Sequence, residues 1–174
     1  AYSRDGIQWS GLGVNTLTNG NTLEWNGRYW LTSDNSGNIY TSSKSLPILS
    51  SWTQVAIPNA SSLVYTLWNG DRWFISGNTT GGAGFIAYSN DVSGGSWTAV
   101  ATPQIDSMIT GLAFNGERIL AVGVGVTNTI AYSDDFGMTW TGLGASIITT
   151  TDITKRPYVR WALGKFVIFG GNNT

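Results

Sequence analysis

Four tryptophans constrain this chain more than any other feature. Trp9, Trp52, Trp97 and Trp140 are separated by 43, 45 and 43 residues in a sequence of 174, so the surroundings of one must be built four times. A short β-prone segment precedes each of them: Ala1-Tyr2-Ser3, Ile39-Tyr40-Thr41-Ser42, Ile86-Ala87-Tyr88-Ser89 and Ile130-Ala131-Tyr132-Ser133. A fixed period of this size marks stacked supersecondary units, none of which buries its apolar face alone.

A second element recurs between these segments. Its apolar anchors stand five residues apart in every copy: Trp25 and Trp30, Trp68 and Trp73, Phe114 and Ile119, Trp161 and Phe166. Asn26-Gly27, Asn69-Gly70 and Asn115-Gly116 lie between the first three pairs, and Leu163-Gly164 between the last. Asn-Gly between apolar runs predicts a hairpin whose two turn residues both take positive φ. Each repeat therefore supplies four short strands, in the first copy near residues 22–25, 28–34, 38–43 and 52–56.

Four-stranded meanders repeated about every 43 residues predict an all-β chain, a single β-propeller domain over 1–174 with repeats at about 1–38, 39–85, 86–129 and 130–174. A β-sandwich accounts for the strands but not for the fixed aromatic register. The chain opens on third and fourth strands and closes on first and second ones, so Ala1–Asp5 is expected to join Lys165–Gly170 and complete one blade from both termini. That closure gives four blades in one chain, or links copies into a homo-oligomer, a larger ring or a longer tandem array. The recurring tryptophans are expected to be core. Glu24 and Arg160 stand where the other repeats carry Leu67 and Ala113, and are expected to offset each other near the central channel.

Composition removes several classes of function. Nine Lys and Arg against ten Asp and Glu give a net charge of −1, so no basic field exists for a nucleic acid or an anionic membrane. Without Cys or His there is no disulfide, no thiolate or imidazole metal site and no histidine base. No apolar run approaches the roughly 20 residues of a membrane helix, and the first residues lack signal-peptide character, as expected of an untargeted protein, a mature chain or an excised fragment. Nothing assigns a localisation; an extracellular or virion setting is compatible. The sequons at Asn59, Asn78 and Asn172 are no more than this Asn, Ser and Thr content produces by chance.

Ser133-Asp134-Asp135-Phe136-Gly137-Met138-Thr139-Trp140 resembles the Asp-box, Ser-x-Asp-x-Gly-x-Thr-Trp, of sialidase-like (bacterial neuraminidase repeat) propellers. The copy from Ser3 through Asp5 to Trp9 is one residue short, that from Ser89 through Asp91 to Trp97 is one long, and the copy ending at Trp52 has lost its Asp. The repeats also resemble tandem propeller repeats of uncharacterised proteins in large DNA viruses. The resemblance implies that Ser3, Asp5, Ser89, Asp91, Ser133, Asp135 and Gly137 form turns, with Trp9, Trp97 and Trp140 packed between blades. Asp5, Asp91 and Asp135 are accordingly expected to staple their own turns rather than serve as catalytic or calcium-binding carboxylates. A sialidase would need an arginine triad, a Tyr–Glu nucleophile and six blades. Here only Glu24 and Glu117 are present, and Arg28, Arg72 and Arg118 recur in hairpin turns. No carboxylate pair suited to another glycosidase is marked. No enzyme, cofactor or metal is expected.

The copies differ most in the loops joining each fourth strand to the next first strand, at 14–21, 58–62, 103–107 and 145–157. Variable loops on a rigid repeat are where recognition concentrates. The candidate binding residues are Asn15, Asn19, Asn59, Gln104, Asp106, Asp152, Lys155 and Arg156. The function expected is lectin-like binding of a glycan or surface ligand. A structural, assembly or virion-associated scaffold that docks other proteins is the alternative.

Overall fold

The computed structural model describes residues 1–11, 20–42 and 52–170. Those residues form sixteen antiparallel strands and no helix, in keeping with the period-two patterning. β3 (Gly20–Trp25), β4 (Trp30–Asp34), β5 (Asn38–Ser42) and β6 (Thr53–Ala56) make one four-stranded meander. A second contains β7 (Ala60–Trp68), β8 (Trp73–Thr79), β9 (Gly84–Ser89) and β10 (Thr98–Ala99). The third contains β11 (Met108–Phe114), β12 (Ile119–Val124), β13 (Ile130–Ser133) and β14 (Thr141–Gly142). Two hairpins, β1 (Tyr2–Ser3) with β2 (Trp9–Ser10) and β15 (Tyr158–Ala162) with β16 (Lys165–Phe169), are separate sheets. Among the described residues β1 pairs with β2 alone and β16 with β15 alone, so the joining of the two ends is not among the strand pairs.

The three Asn-Gly hairpins differ from expectation in turn type. Their loops have four residues, with only the glycine at positive φ: Gly27 at 94°, Gly70 at 100° and Gly116 at 102°. The asparagine works through its side chain instead. Asn26 Oδ1 accepts from the Arg28 and Tyr29 amides at 2.9 and 2.6 Å, Asn69 Oδ1 from Asp71 and Arg72, and Asn115 Oδ1 from Glu117 and Arg118. Side-chain capping of this kind mimics a backbone turn. The two-residue turn with both φ values positive occurs in the fourth copy, at Leu163 (52°) and Gly164 (71°). Both solutions align the same anchors, Trp25 against Trp30 and Trp161 against Phe166, which is why the spacing of five survives the change.

The core lies between sheets. Leu31, Ile39, Leu63, Trp73 and Ile75 fill the space between the first and second meanders, and Phe74, Ile86, Leu112, Ile119 and Trp140 that between the second and third. Val122, Ile130, Ile148 and Val159 continue it towards β15. Strand β7 lies against β3, β11 against β7, and β15 against β11, so the first strands of successive copies are neighbours. The expectation of a uniformly buried tryptophan set needs correction. Trp73 and Trp140 are 0% and 7% exposed, but Trp9 is 64% and Trp161 38% exposed, and among the described residues both lie in two-stranded sheets where their equivalents belong to or adjoin four-stranded ones.

Candidate functional site

The loops at the far end from the Asn-Gly turns converge beside the second and third meanders. Asn59 on the β6–β7 connection, Thr79 at the end of β8, Gln104 and Asp106 on the β10–β11 connection, and Thr127 and Asn128 between β12 and β13 line an open cleft of about 520 Å³. Three of the residues singled out from loop variability, Asn59, Gln104 and Asp106, are thereby brought together. Phe85 and Ile105, buried at 4% and 2% exposure, form its apolar base, flanked by Val100 and Pro103.

The backbone here is unusual. Asn59 and Gln104 take φ values of 66° and 71°, two of only four non-glycine residues at positive φ among those described. Such conformations cost about 1–3 kcal/mol and persist where the surroundings over-determine them. They are held by specific bonds: the Thr80 amide donates to the Asn59 carbonyl at 3.1 Å, and Asn128 Nδ2 to the Gln104 carbonyl at 3.0 Å. Asn128 Oδ1 accepts from the Gly144 amide at 2.8 Å, which ties the cleft wall to the strand beyond it. Asp106 Oδ2 accepts from the backbone amides of Val126 and Thr127, closing the β12–β13 turn over the cleft. The Asp106 carboxylate and the Asn128 side-chain amide are therefore part of the scaffold, and the groups presented are mainly the Asn59 and Gln104 side-chain amides and hydroxyls.

The second predicted cluster lies apart from this cleft. Asp152 Oδ1 accepts from the Thr154 amide and hydroxyl at 2.8 and 2.7 Å, bonds that hold its carboxyl below the usual range, with the neighbouring Lys155 ammonium adding to the effect. Lys155 N donates to the Asp152 carbonyl and Arg156 Nε to the Ile153 carbonyl. These charges close a local turn. The loop that carries them is anchored rather than free: Ile148 and Thr150 are buried, and the Thr129 hydroxyl donates to the Ile148 carbonyl at 2.7 Å. Asn15 and Asn19 lie outside the described residues.

The Asp and Ser side chains marked as turn formers bond their own loops. Ser133 Oγ donates to Asp135 at 2.7 Å and accepts from the Gly137 amide, while Asp135 accepts from the Met138 and Thr139 amides and the Thr139 hydroxyl. Burial alone would raise the Asp135 carboxyl, but these bonds bring it down to about 2. Ser3 and Asp5 repeat the pattern with the Gly6, Ile7 and Gln8 amides. Asp91 accepts from Ser93 and the Gly95 amide, and its own amide donates to Ser89 Oγ. In each loop the indole N–H turns back onto a glycine carbonyl: Trp9 to Gly6, Trp97 to Gly94 and Trp140 to Gly137. Carboxylates spent on backbone amides are poor acids, bases or metal ligands.

Sequence reasoning missed Thr79, Thr127 and Asn128. Thr127 and Asn128 lie on the connection between a second and a third strand and Thr79 at the end of a second strand, at the same end of the sheets as the variable loops. No protein-family model and no curated protein matches this chain.

Proposed function

We propose that the chain is a non-enzymatic binding propeller of the Asp-box kind, which takes a glycan or a comparable neutral, hydroxyl-rich surface ligand in the Asn59–Gln104–Asn128 cleft. One observation carries the reading: loops from separate connections meet to present amides and hydroxyls over an apolar base, with two of the contributing residues held at strained backbone angles. Pockets that orient a ligand with few polar groups over apolar walls are the usual form of small-molecule sites. In the proposed propeller the four copies are blades, supported by the neighbouring first strands and the three matching Ser–Asp–Trp loops. A second reading, a scaffold that docks other proteins, is favoured by the exposed apolar strand β16, where Val167 and Phe169 are 55% and 81% exposed.

The test is a glycan array with the full chain, repeated with N59G and Q104G. Glycine keeps the left-handed backbone and removes only the side chain. Each loss of a hydrogen-bonding side chain is expected to weaken binding by roughly tenfold, about 1.4 kcal/mol. Equal binding by both variants, or an array without a specific signal, overturns the assignment of the cleft.

A further inference from the structure

The first strands of three copies line a second, open cavity of about 270 Å³ that shares no residue with the cleft. Thr22 and Glu24 of β3, Tyr65 and Thr66 of β7, and Tyr158 and Arg160 of β15 line it. Glu24 and Arg160 occupy the position that is Leu67 in the second copy and Ala113 in the third, so nothing in the repeat requires a charge there. Burial raises the Glu24 carboxyl above its usual range, against smaller lowering effects of the Trp25 amide and of the nearby Arg160 guanidinium. Yet neither takes part in the ion pairs found among the described residues, which are Arg72 with Asp71 and Arg118 with Asp134. Arg160 Nη1 is instead held by the Tyr65 hydroxyl and by its neighbour Val159 O.

A carboxylate and a guanidinium that line one polar cavity from different strands without closing onto each other form a dipolar receptor. Glu24 is half-buried with only the Trp25 amide beside its carboxylate, whereas Arg160 is exposed, so the desolvation cost that a ligand's ammonium group can relieve is that of the Glu24 charge. Arginine presents a planar fork that suits a carboxylate, whereas Glu24 accepts from an ammonium group. We propose that this cavity binds a small zwitterion, a free amino acid in its dipolar form, with its ammonium group on Glu24 and its carboxylate on Arg160. The Tyr158 and Tyr65 rings and the Thr22 and Thr66 side chains supply the walls. This site is separate from the cleft and does not rest on the cleft's ligand.

The experiment is calorimetric or saturation-transfer titration of the full chain with glycine, β-alanine and γ-aminobutyrate, which differ only in the distance between charges. Methylammonium and acetate provide each charge alone. Ligands of so few atoms are expected to bind at about millimolar strength, so the titrations run to that range. The expected result is saturable binding of at least one of the three, roughly tenfold or more tighter than either single-charge control. It is lost in E24L and in R160A, which install the apolar kind of residue that other copies carry, and in E24Q, which changes only the charge. Circular dichroism of each variant distinguishes lost binding from lost folding. N59G and Q104G should bind the zwitterion unchanged. Acetate binding as tightly as glycine, retention of binding in E24Q, or no saturable binding overturns the proposal and leaves Glu24 and Arg160 as a charge-balancing pair.

Discussion

Asp135 shows how a single polar residue stabilises a loop whose Phe136 and Met138 are about half exposed. Burial opposes its ionisation, but the Thr139 side chain and amide, Ser133 and the Met138 amide together hold its carboxyl at about 2, against an ordinary 3.8. Because the folded-state value is the lower one, the stability this group contributes is complete above 3.8 and is lost as pH falls from there towards 2. Removing the Thr139 hydroxyl with T139V takes away one of these donors, so the Asp135 carboxyl should titrate at higher pH, and the acid loss of melting temperature, which sets in near 3.8 in both chains, should be smaller and level off at a higher pH than in the parent chain. A carboxyl-detected NMR titration beside a pH series of thermal melts measures both. An unmoved Asp135 titration in T139V would show that the Ser133 hydroxyl and the loop amides set its acidity without Thr139 Oγ1. The roles of Ser133, Asp135 and Gly137 were legible because short polar residues around a glycine have few other uses in a tight loop. The strained backbone of Asn59 and Gln104 was not, since positive φ at a non-glycine residue is imposed by contacts such as Asn128 with Gln104, remote in sequence.

At the level of elements, the strands followed from composition while the turns did not. Alternation of apolar and polar residues sets the strand faces locally. The dipeptide Asn-Gly, however, is compatible both with a two-residue turn and with the longer loop in which the Asn side chain caps two amides, and the longer loop is the one formed three times. The fourth copy carries a cost that the others avoid. Leu163 sits at φ 52° and is 99% exposed, so its side chain gains nothing from packing in a conformation disfavoured for it by about 1–2 kcal/mol. Asparagine tolerates that region and is preferred in turns of this type. L163N should therefore stabilise the chain by about 1 kcal/mol in urea denaturation with an unchanged m-value. A destabilised L163N would mean that the Leu163 side chain has a partner in solution. The cleft was half legible for a related reason: divergence between copies pointed to Asn59, Gln104 and Asp106. Thr127 and Asn128 lie on loops whose approach depends on how neighbouring sheets pack.

For the molecule as a whole, the two end hairpins match different halves of a repeat, β15–β16 the first two strands and β1–β2 the last two. Strand β16 corresponds to β12, where Leu120 and Val122 are 7% and 0% exposed under cover of β13, whereas the matching Val167 and Phe169 are 55% and 81% exposed. The β1–β2 hairpin corresponds to β13–β14, and its Tyr2–Ser10 pairing matches that of Tyr132 with Thr141. Its missing neighbour is identifiable from the turn glycines. A Cβ on Gly94 would meet Leu31 at 2.9 Å and one on Gly137 would meet Phe74 at 2.3 Å, while one on Gly6 meets nothing within 4 Å. Leu31 and Phe74 are equivalent residues of β4 and β8, and their counterpart in β12 is Leu120. In the proposed closure the hairpin therefore lays Gly6 and Trp9 over Leu120 and pairs Ser3 with Phe166 and Tyr2 with Val167, the register seen between β13 and β12. The nine residues joining β2 to β3 are comparable to the eight joining β10 to β11, so the chain's own hairpin can reach at a local concentration of about millimolar. Closure makes Trp9 a core residue, and W9A should then cost about 3–5 kcal/mol, as expected for W140A. An open chain predicts a W9A effect within about 0.5 kcal/mol, the usual range for a surface position. Sedimentation equilibrium separates the remaining possibilities: a mass near 18.6 kDa with a costly W9A places the hairpin on its own chain, and a concentration-dependent multiple of it that W9A dissolves places it on the next copy.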